Sequence, residues 1–261
     1  MSGQSLARAR WIGFKTILIR EFHRISRIWG QTLVPPAVTA TLYFVIFGNL
    51  IGRRVGTVGG FGYMQFIAPG LIMMSVITNS FSNVASSFFG AKFGKHIEEL
   101  LVSPLPNALI VAGYIGGGIL RGLLVGAVVT LVALLFTHLS VHSLLVTLTA
   151  VLLTSAVFSL GGFINAILAK NFEQISWFPT FVLTPLTYLG GVFYSINMLP
   201  EWARMLSHAN PILYMVSAFR YGFLGTTDVD LPRAFGVMTL AVLGMFALAL
   251  LLLNRGSGIR D

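Results

Sequence analysis

Cysteine is absent from the chain, so no disulfide framework and no thiolate metal site can form, and the redox compartment leaves no mark on the sequence. Acidic residues are scarce too: eight Asp and Glu stand against 17 Lys and Arg, and charged residues of both signs make up only 10% of the chain. The central parts of the long apolar runs contain no Asp, Glu, Lys or His, which removes the usual parts of an intramembrane protease, a proton relay or a metal site. A short apolar core followed by a small-residue cleavage site is also missing near the N-terminus, so no cleaved signal peptide is expected. No internal repeat, low-complexity tract or long linker is evident, which disfavours inverted-repeat transporter folds.

What the chain has in abundance is apolar surface. Of its 261 residues 56% are hydrophobic, and a mean hydropathy of +0.84 is far above that of a soluble globular domain. The apolar residues fall in long runs rather than in the broken periodicity of a soluble core. A crossing of about 30 Å of hydrocarbon takes roughly 20 apolar residues, and six segments meet that length, at about 33–51, 65–89, 108–136, 143–169, 176–195 and 233–253. Lipid offers no partner to a peptide group, so each must be helical: the expected fold is all-α, one polytopic membrane domain over 33–261 preceded by a separate N-terminal segment, 1–32.

The formal net charge of +9 does not indicate nucleic acid, because the basic residues flank the apolar runs instead of forming a patch with interleaved aromatics. With the N-terminus placed in the cytoplasm, eleven Lys and Arg fall on the inner side and five on the outer, leaving Arg121 within a span. That excess places both termini inside. In the first 30 residues, Trp11, Phe14, Leu18, Phe22, Ile25 and Trp29 share a face at helical spacing while Arg20, Arg24 and Arg27 point the other way. The pattern reads as an amphipathic helix at the membrane interface with Pro35-Pro36 as its elbow into the first span, or as a helix packed on another protein.

Two joints carry more than a turn. Residues 91–104 hold a short helix with Ile97, Leu100 and Leu101 on its apolar side and Lys95, Glu98 and Glu99 on its polar side, stopped by Ser103-Pro104-Leu105-Pro106; it can dock on a cytosolic partner or lie flat on the bilayer. Residues 196–229 are apolar and aromatic but broken by Pro200, Glu201, Arg204, His208 and Asn210-Pro211. Two short helices dipping into the outer leaflet, or a plain interfacial lid, both suit them. The stretch from Gly90 to His96 superficially resembles a phosphate-binding loop, yet it has three residues between its glycines, no Ser or Thr for magnesium and no preceding strand, so the chain is not expected to hydrolyse ATP by itself.

Within the spans, Arg121 is the exception to an otherwise uncharged interior, and its roles are a substrate path or a snorkelling cation. Gly118, Gly122 and Gly126 recur every fourth residue around it as a ridge for close helix contact. Asn79 and Asn83, with Ser75, Ser82 and Ser86, give the second span a polar side. Thr180, Thr184, Thr187 and Tyr188 do the same for the fifth, beside Pro179 and Pro185. These groups are either interhelical glue or the wall of a path for an amphipathic substrate.

The stretches TLYFVIFGNLIG, YMQFIAPGLIMMSVITN, NVASSFFGAKFGKHIEELLVSP, PTFVLTPLTYLGGVFYS and NPILYMVSAFRYGFLG, taken together, resemble ABC-2-type permeases over nearly the whole chain. The resemblance implies six spans, an N-terminal interfacial helix, a coupling helix between spans two and three, and an extracellular re-entrant hairpin before span six. It implies a homodimer in the bacterial inner membrane working with two copies of a separate ABC ATPase, which would bind the ATP and Mg while this chain binds no cofactor. Lys95, His96, Ile97, Glu98, Glu99, Leu100 and Leu101 would insert into a groove of that ATPase, spans two and five would line the path, and spans one and five would meet across the dimer. Short outer loops favour export, of a hydrophobic or lipid-like molecule or else of a polysaccharide or lipid-linked glycan; a lipid-modifying membrane enzyme ranks behind both.

Overall fold

The structure, a computed structural model, describes residues 3–103 and 105–256, without the side chains of residues 3–5, 49–51, 53, 98 and 101. Pro104, in the expected stop, and Arg260, counted on the inner side, lie outside the described residues. Helices follow one another along almost the entire chain: α1 (Gly3–Arg27), α2 (Trp29–Tyr43), α3 (Gly52–Val55), α4 (Tyr63–Phe93), α5 (His96–Val102), α6 (Asn107–Phe136), α7 (Leu144–Leu168), α8 (Phe172–Phe178), α9 (Thr184–Tyr188), α10 (Glu201–Ala209), α11 (Pro211–Leu224) and α12 (Leu231–Arg255). The only strands among the described residues pair Thr57 with Gly62 and Val58 with Phe61, and both residues of the tight turn between them, Gly59 and Gly60, have positive φ.

Five helices are long and apolar enough to cross a membrane: Trp29–Gly48, Tyr63–Phe93, Asn107–Phe136, Leu144–Leu168 and Leu231–Arg255. The stretch expected as a further span, 176–195, is different. It is helical from Phe172 only to Tyr188, passes through a π-helical turn at Pro179–Leu183, and bends away at Gly191, whose φ is +73°. In this widened turn the Pro179 carbonyl accepts from both the backbone N–H and the hydroxyl of Thr184, the latter at 2.9 Å.

The elbow at the N-terminus also differs from expectation. The chain bends at Ile28 (φ −110°, ψ 30°), while Pro35 and Pro36 sit inside α2. Each proline leaves a carbonyl one turn earlier without its helical donor, and such a defect is tolerated where neighbouring helices or polar cavities take it up.

The helices meet around α6, which carries glycines on two opposite sides. A Cβ added at Gly118 would lie 2.1 Å from Ser159 Oγ on α7 and 2.6 Å from Val84 on α4; at Gly122 it would lie 2.2 Å from Ser80 Oγ and 2.5 Å from Ser155 Oγ. On the other side, added Cβ atoms at Gly113, Gly116 and Gly117 would meet Ile17, Leu18 and Glu21 of α1 at 2.5–2.7 Å. The contact of α4 with α7 leaves less room to adjust, since a Cβ added at Gly162 would lie 2.3 Å from the Phe81 carbonyl oxygen, which is backbone. Around these contacts lie two apolar clusters, one centred on Ile67, Phe81 and Phe219, the other on Phe88, Tyr114 and Phe163. The Phe88 and Phe163 rings are 4.2 Å apart.

Helix α11 is enclosed by α4, α7 and α12. Asn210 caps its start through Ile212 N–H at 3.0 Å and holds the preceding α9 by donating to the Leu186 carbonyl at 2.7 Å. Arg220, which sequence reasoning places among the outer basic residues, is 1% exposed. It pairs with Asp228 at 3.0 Å, donates to the Gly191 carbonyl at 2.6 Å and lies 3.9 Å over the Phe66 ring, so its charge is matched within the fold.

Close packing makes a sharp contrast between glycines. Gly162→Ala should cost about 1–3 kcal/mol through overpacking against backbone, whereas Gly244→Ala, with nothing within 4 Å of the new methyl, should be neutral or slightly stabilising. Thermal unfolding of the two variants in one detergent checks the order; equal midpoints would contradict the packing described.

Candidate functional site

The polar residues of α4 recur at helical spacing, and two cavities follow one another along that face. The first, about 330 Å³, lies between α2, α4 and α6 and is walled by Gln31, Thr39, Ser75, Thr78, Asn79 and Arg121, with the Pro35 and Pro36 rings at its edge. The second, about 770 Å³, begins one turn further along at Ser86 and includes Arg20, Glu21, His23, Arg24, Arg27 and His96.

Arg121 stands on α6 between the two glycine sides. Its Nη2 donates to Asn79 Oδ1 at 3.2 Å, and its Nε is buried without a hydrogen-bond partner. The two sequence candidates Asn79 and Arg121 are thus brought together. Asn83 is drawn into another arrangement: it is fully buried and its Oδ1 accepts from Arg24 Nη2 at 2.8 Å. Arg24 also pairs with Glu21 at 2.8 Å, and the other Glu21 oxygen accepts from the Ser87 hydroxyl.

Glu21 is 1% exposed, between Ile17 and Ile25 on the face of α1 that packs on α6. This corrects the helix faces expected from the sequence. Arg20 and Arg24 do not face away from the protein: Arg20 donates to Tyr114 Oη at 2.6 Å and Arg24 reaches Asn83. The aromatic row divides, with Ile25 turned inward and Trp11, Phe22 and Trp29 left exposed. The missed signal was the lone acid of the basic segment, which falls at i, i+4 spacing between two isoleucines. A carboxylate there needs partners, and the arginine one turn on supplies one.

The hydroxyls beyond α8 are not gathered around Arg121. Thr180 and Thr184 are exposed and donate to carbonyls of their own helical run, and Thr187 is buried and donates to Leu183 O at 2.7 Å. Tyr188 does not line the cavity, but its hydroxyl lies 2.9 Å from that of Tyr43, which does.

The short helix after α4 is only seven residues long. Gly94 ends α4 and Lys95 takes a left-handed conformation (φ 59°), so Lys95 is the hinge before α5 rather than a member of it. Ile97 is 2% exposed and belongs to the bundle's own core, and Leu100 packs partly against that core, which removes Ile97 from any ridge available to another chain. His96, Glu99 and Val102 are exposed, Val102 at 86%. Lys92, within the glycine-flanked stretch, holds the end of α7 by donating to the carbonyls of Ile167 at 2.7 Å and Ala169 at 2.6 Å. Its ammonium serves as a helix C-terminal cap, a structural use of the cation at a helix end.

Residues 12–224 match the family described as ABC-2 type transporter. The chain is similar to the inner membrane transport permease YadH of Escherichia coli strain K12, with 57% identity over 251 residues, covering 96% of this chain and 98% of the relative. It is more distantly similar to Nodulation protein J of Neorhizobium galegae, 23% identical over 90% of each chain, and to Nodulation protein J of Rhizobium leguminosarum bv. trifolii, 27% identical over 82% of each.

The Glu21 arrangement gives a direct test. Glu21→Ala leaves Arg24 without its carboxylate in a half-buried site and should destabilise the protein by about 2–3 kcal/mol. Glu21→Gln, whose amide oxygen can still accept from Arg24 while its NH2 donates to the Ser87 hydroxyl, should cost less. Thermal unfolding of both variants checks this, and an unchanged midpoint for Glu21→Ala would mean that the ion pair contributes nothing.

Proposed function

The chain belongs to the ABC-2 type transporter family, and from that premise we propose that it is the permease subunit of an ATP-driven exporter of the bacterial inner membrane, moving a hydrophobic or lipid-like molecule out of the cytoplasm or inner leaflet. The inner membrane is the location named for the similar YadH permease. The observation that carries the reading is the cavity around Arg121: hydroxyl, amide and guanidinium groups line a space between helices that are otherwise apolar enough to cross a bilayer. Such a wall gives an amphipathic cargo somewhere to place its polar part during a crossing.

In this reading two permease chains form a homodimer and join two copies of a separate ATPase of the YadG type, which binds ATP and Mg. The run from Phe172 to Tyr188 forms the sixth crossing, shortened by its π-helical turn. Helices α10 and α11 form the re-entrant pair on the outer side, α1 lies along the inner interface with Trp11, Phe22 and Trp29 toward lipid, and both termini are cytoplasmic. Helix α5, with the flanking Lys95, is the contact to the ATPase. Its partner-facing surface consists of His96, Glu99 and Val102, which are exposed, and Ile97 anchors the helix to the permease itself.

Export of a polysaccharide or lipid-linked glycan is the second reading. It is favoured by the larger cavity, whose about 770 Å³ and many hydrogen-bonding groups would admit a sugar headgroup. ATPase stimulation of the reconstituted complex by candidate lipids and by lipid-linked glycans separates the two.

Two experiments test the arrangement. Because the chain lacks cysteine, single cysteines can be placed without background. Ones at Ser140 and Thr227 should react with an impermeant thiol reagent added outside cells, and ones at His96 and Lys170 only after permeabilisation; the reverse pattern would end the topology. For coupling, Val102→Asp should release the ATPase and abolish transport while leaving the permease folded. Ile97→Ala should instead lower permease stability by about 2–4 kcal/mol. Full ATPase retention by Val102→Asp would remove α5 as the contact.

A further inference from the structure

The balance of charge along the α4 groove is unequal. Among the described residues the ion pairs are Arg24 with Glu21 and Arg220 with Asp228. Among the described residues Glu21 is the only carboxylate of the larger cavity, and it is already occupied by Arg24 and Ser87, while Arg20, Arg27 and two histidines share the same walls. One step along α4, Arg121 has an amide oxygen as its partner and, among the described residues, no carboxylate; its Nε is unmatched, as are those of Arg24 and Arg220, so the missing carboxylate is what sets it apart. A guanidinium carries five N–H donors and cannot shed its proton, so in a largely apolar bundle it demands an anion. The fold provides that anion for Arg220 and withholds it from Arg121.

Between the two basic sites runs a polar stripe. Ser75, Thr78, Asn79, Ser82 and Ser86 lie within about one third of the circumference of α4, over a rise of about 16 Å. Ser75, Thr78 and Ser86 donate to carbonyls of their own helix at 3.1, 3.0 and 2.7 Å. A hydroxyl rotates freely between acceptors, so each can exchange that bond for one to a passing oxygen at little net cost. Outside the residues that line the cavity, α2 also leaves Val34, Val38 and Leu42 about half exposed as apolar surface.

From this geometry we propose that the α4 groove receives the anionic headgroup of an amphiphile, a phosphate or comparable oxyanion, first at the Arg20, Arg27 and His96 cavity and then at Arg121, with the apolar tail left against α2. The proposal rests on the permease reading above and specifies the cargo class that reading leaves open. Charge-assisted hydrogen bonds from arginine to phosphate are short and often bidentate, which suits a site with unmatched guanidinium donors. The headgroup moves from one arginine to the next with hydroxyl partners at every turn of the helix.

The test uses the full chain in phosphatidylcholine nanodiscs at about 0.15 M salt, where surface charge is screened beyond roughly 8 Å. Spin-labelled phosphatidic acid and spin-labelled phosphatidylcholine are compared by the fraction immobilised on the protein. Phosphatidic acid should be held about tenfold more strongly, the ratio expected for one charge-assisted bond. Inorganic phosphate at millimolar concentration should not displace it. Arg121→Gln keeps a donor for Asn79 and should lower the preference to what the Arg20, Arg27 and His96 cavity holds alone, Arg121→Lys should lower it less, and adding Arg20→Gln and Arg27→Gln should remove the rest. Thr78→Leu, at an exposed position on the stripe, should lower the preference as Arg121→Gln does with both basic sites intact, which guards against a folding defect in the arginine variants. Equal binding of the two lipids, displacement by phosphate, or a preference unchanged by both Arg121→Gln and Thr78→Leu would overturn the proposal. No ATP or partner enters this measurement, so the anion preference can fail while ATPase retention and transport stand, and the reverse.

Discussion

The distance between backbones around α6 is the constraint on which the other contacts depend. Where a side chain would stand at Gly118 and Gly122, the hydroxyls of Ser80, Ser155 and Ser159 already do, and α4 and α7 are held against one side of α6. The opposite glycines admit α1, bringing Glu21 within reach of Ser87 and Arg24 within reach of Asn83. Helices in lipid gain nothing from hiding apolar surface from one another, so dispersion at short range and a few polar contacts must hold them together. Bulk on α6 would separate both layers at once and open the polar groups between them.

The arginines show how differently one bundle can treat the same side chain. Arg220 is enclosed by a carboxylate, a carbonyl and an aromatic face, and it ties α11 to the 189–195 turn and to α4. Arg24 shares its carboxylate with a serine, at the seam between α1 and α4. Arg121 has an amide alone and borders a cavity. Pairing with a buried carboxylate makes the first a structural element; the absence of a carboxylate among the described residues leaves the last available for chemistry with something that is not protein.

Much of this was legible in the sequence, for physical reasons that differ by element. Long apolar runs can only be helices in lipid, so the spans at 65–89, 108–136, 143–169 and 233–253 reappear in α4, α6, α7 and α12 with shifts of a few residues at the ends. The break at Asn210-Pro211 was legible because asparagine caps and proline starts a helix by local chemistry alone. What failed were judgements that need the third dimension. The elbow was assigned to Pro35-Pro36, because proline is a breaker in isolation, yet the bend falls at Ile28 and α2 carries both rings. The faces of α1 were divided by hydropathy, which could not foresee that glycines on α6 would admit Glu21. Ile97 looked available to a partner on a short amphipathic helix, and only the tertiary packing shows that its own domain takes it. Within the candidate site, the pairing of Asn79 with Arg121 follows from their depths on adjacent helices, while Thr180 and Thr184 were wrongly grouped with them because composition says nothing of direction.

The bonds from Lys92 to the last carbonyls of α7 have a mechanical meaning. They fasten the ends of α4 and α7 to each other at the point where the chain turns through Lys95 into α5. Ile97, set into the core just beyond the turn, denies α5 the freedom to swing on that hinge by itself. A force applied to α5 is therefore delivered to a yoke: two long rods joined at one end, with the polar groove running along one of them. Displacement at the short helix becomes tilt of the pair, and because α4 continues for about 46 Å from that joint at 1.5 Å per residue, a small angle there becomes a larger excursion at its far end.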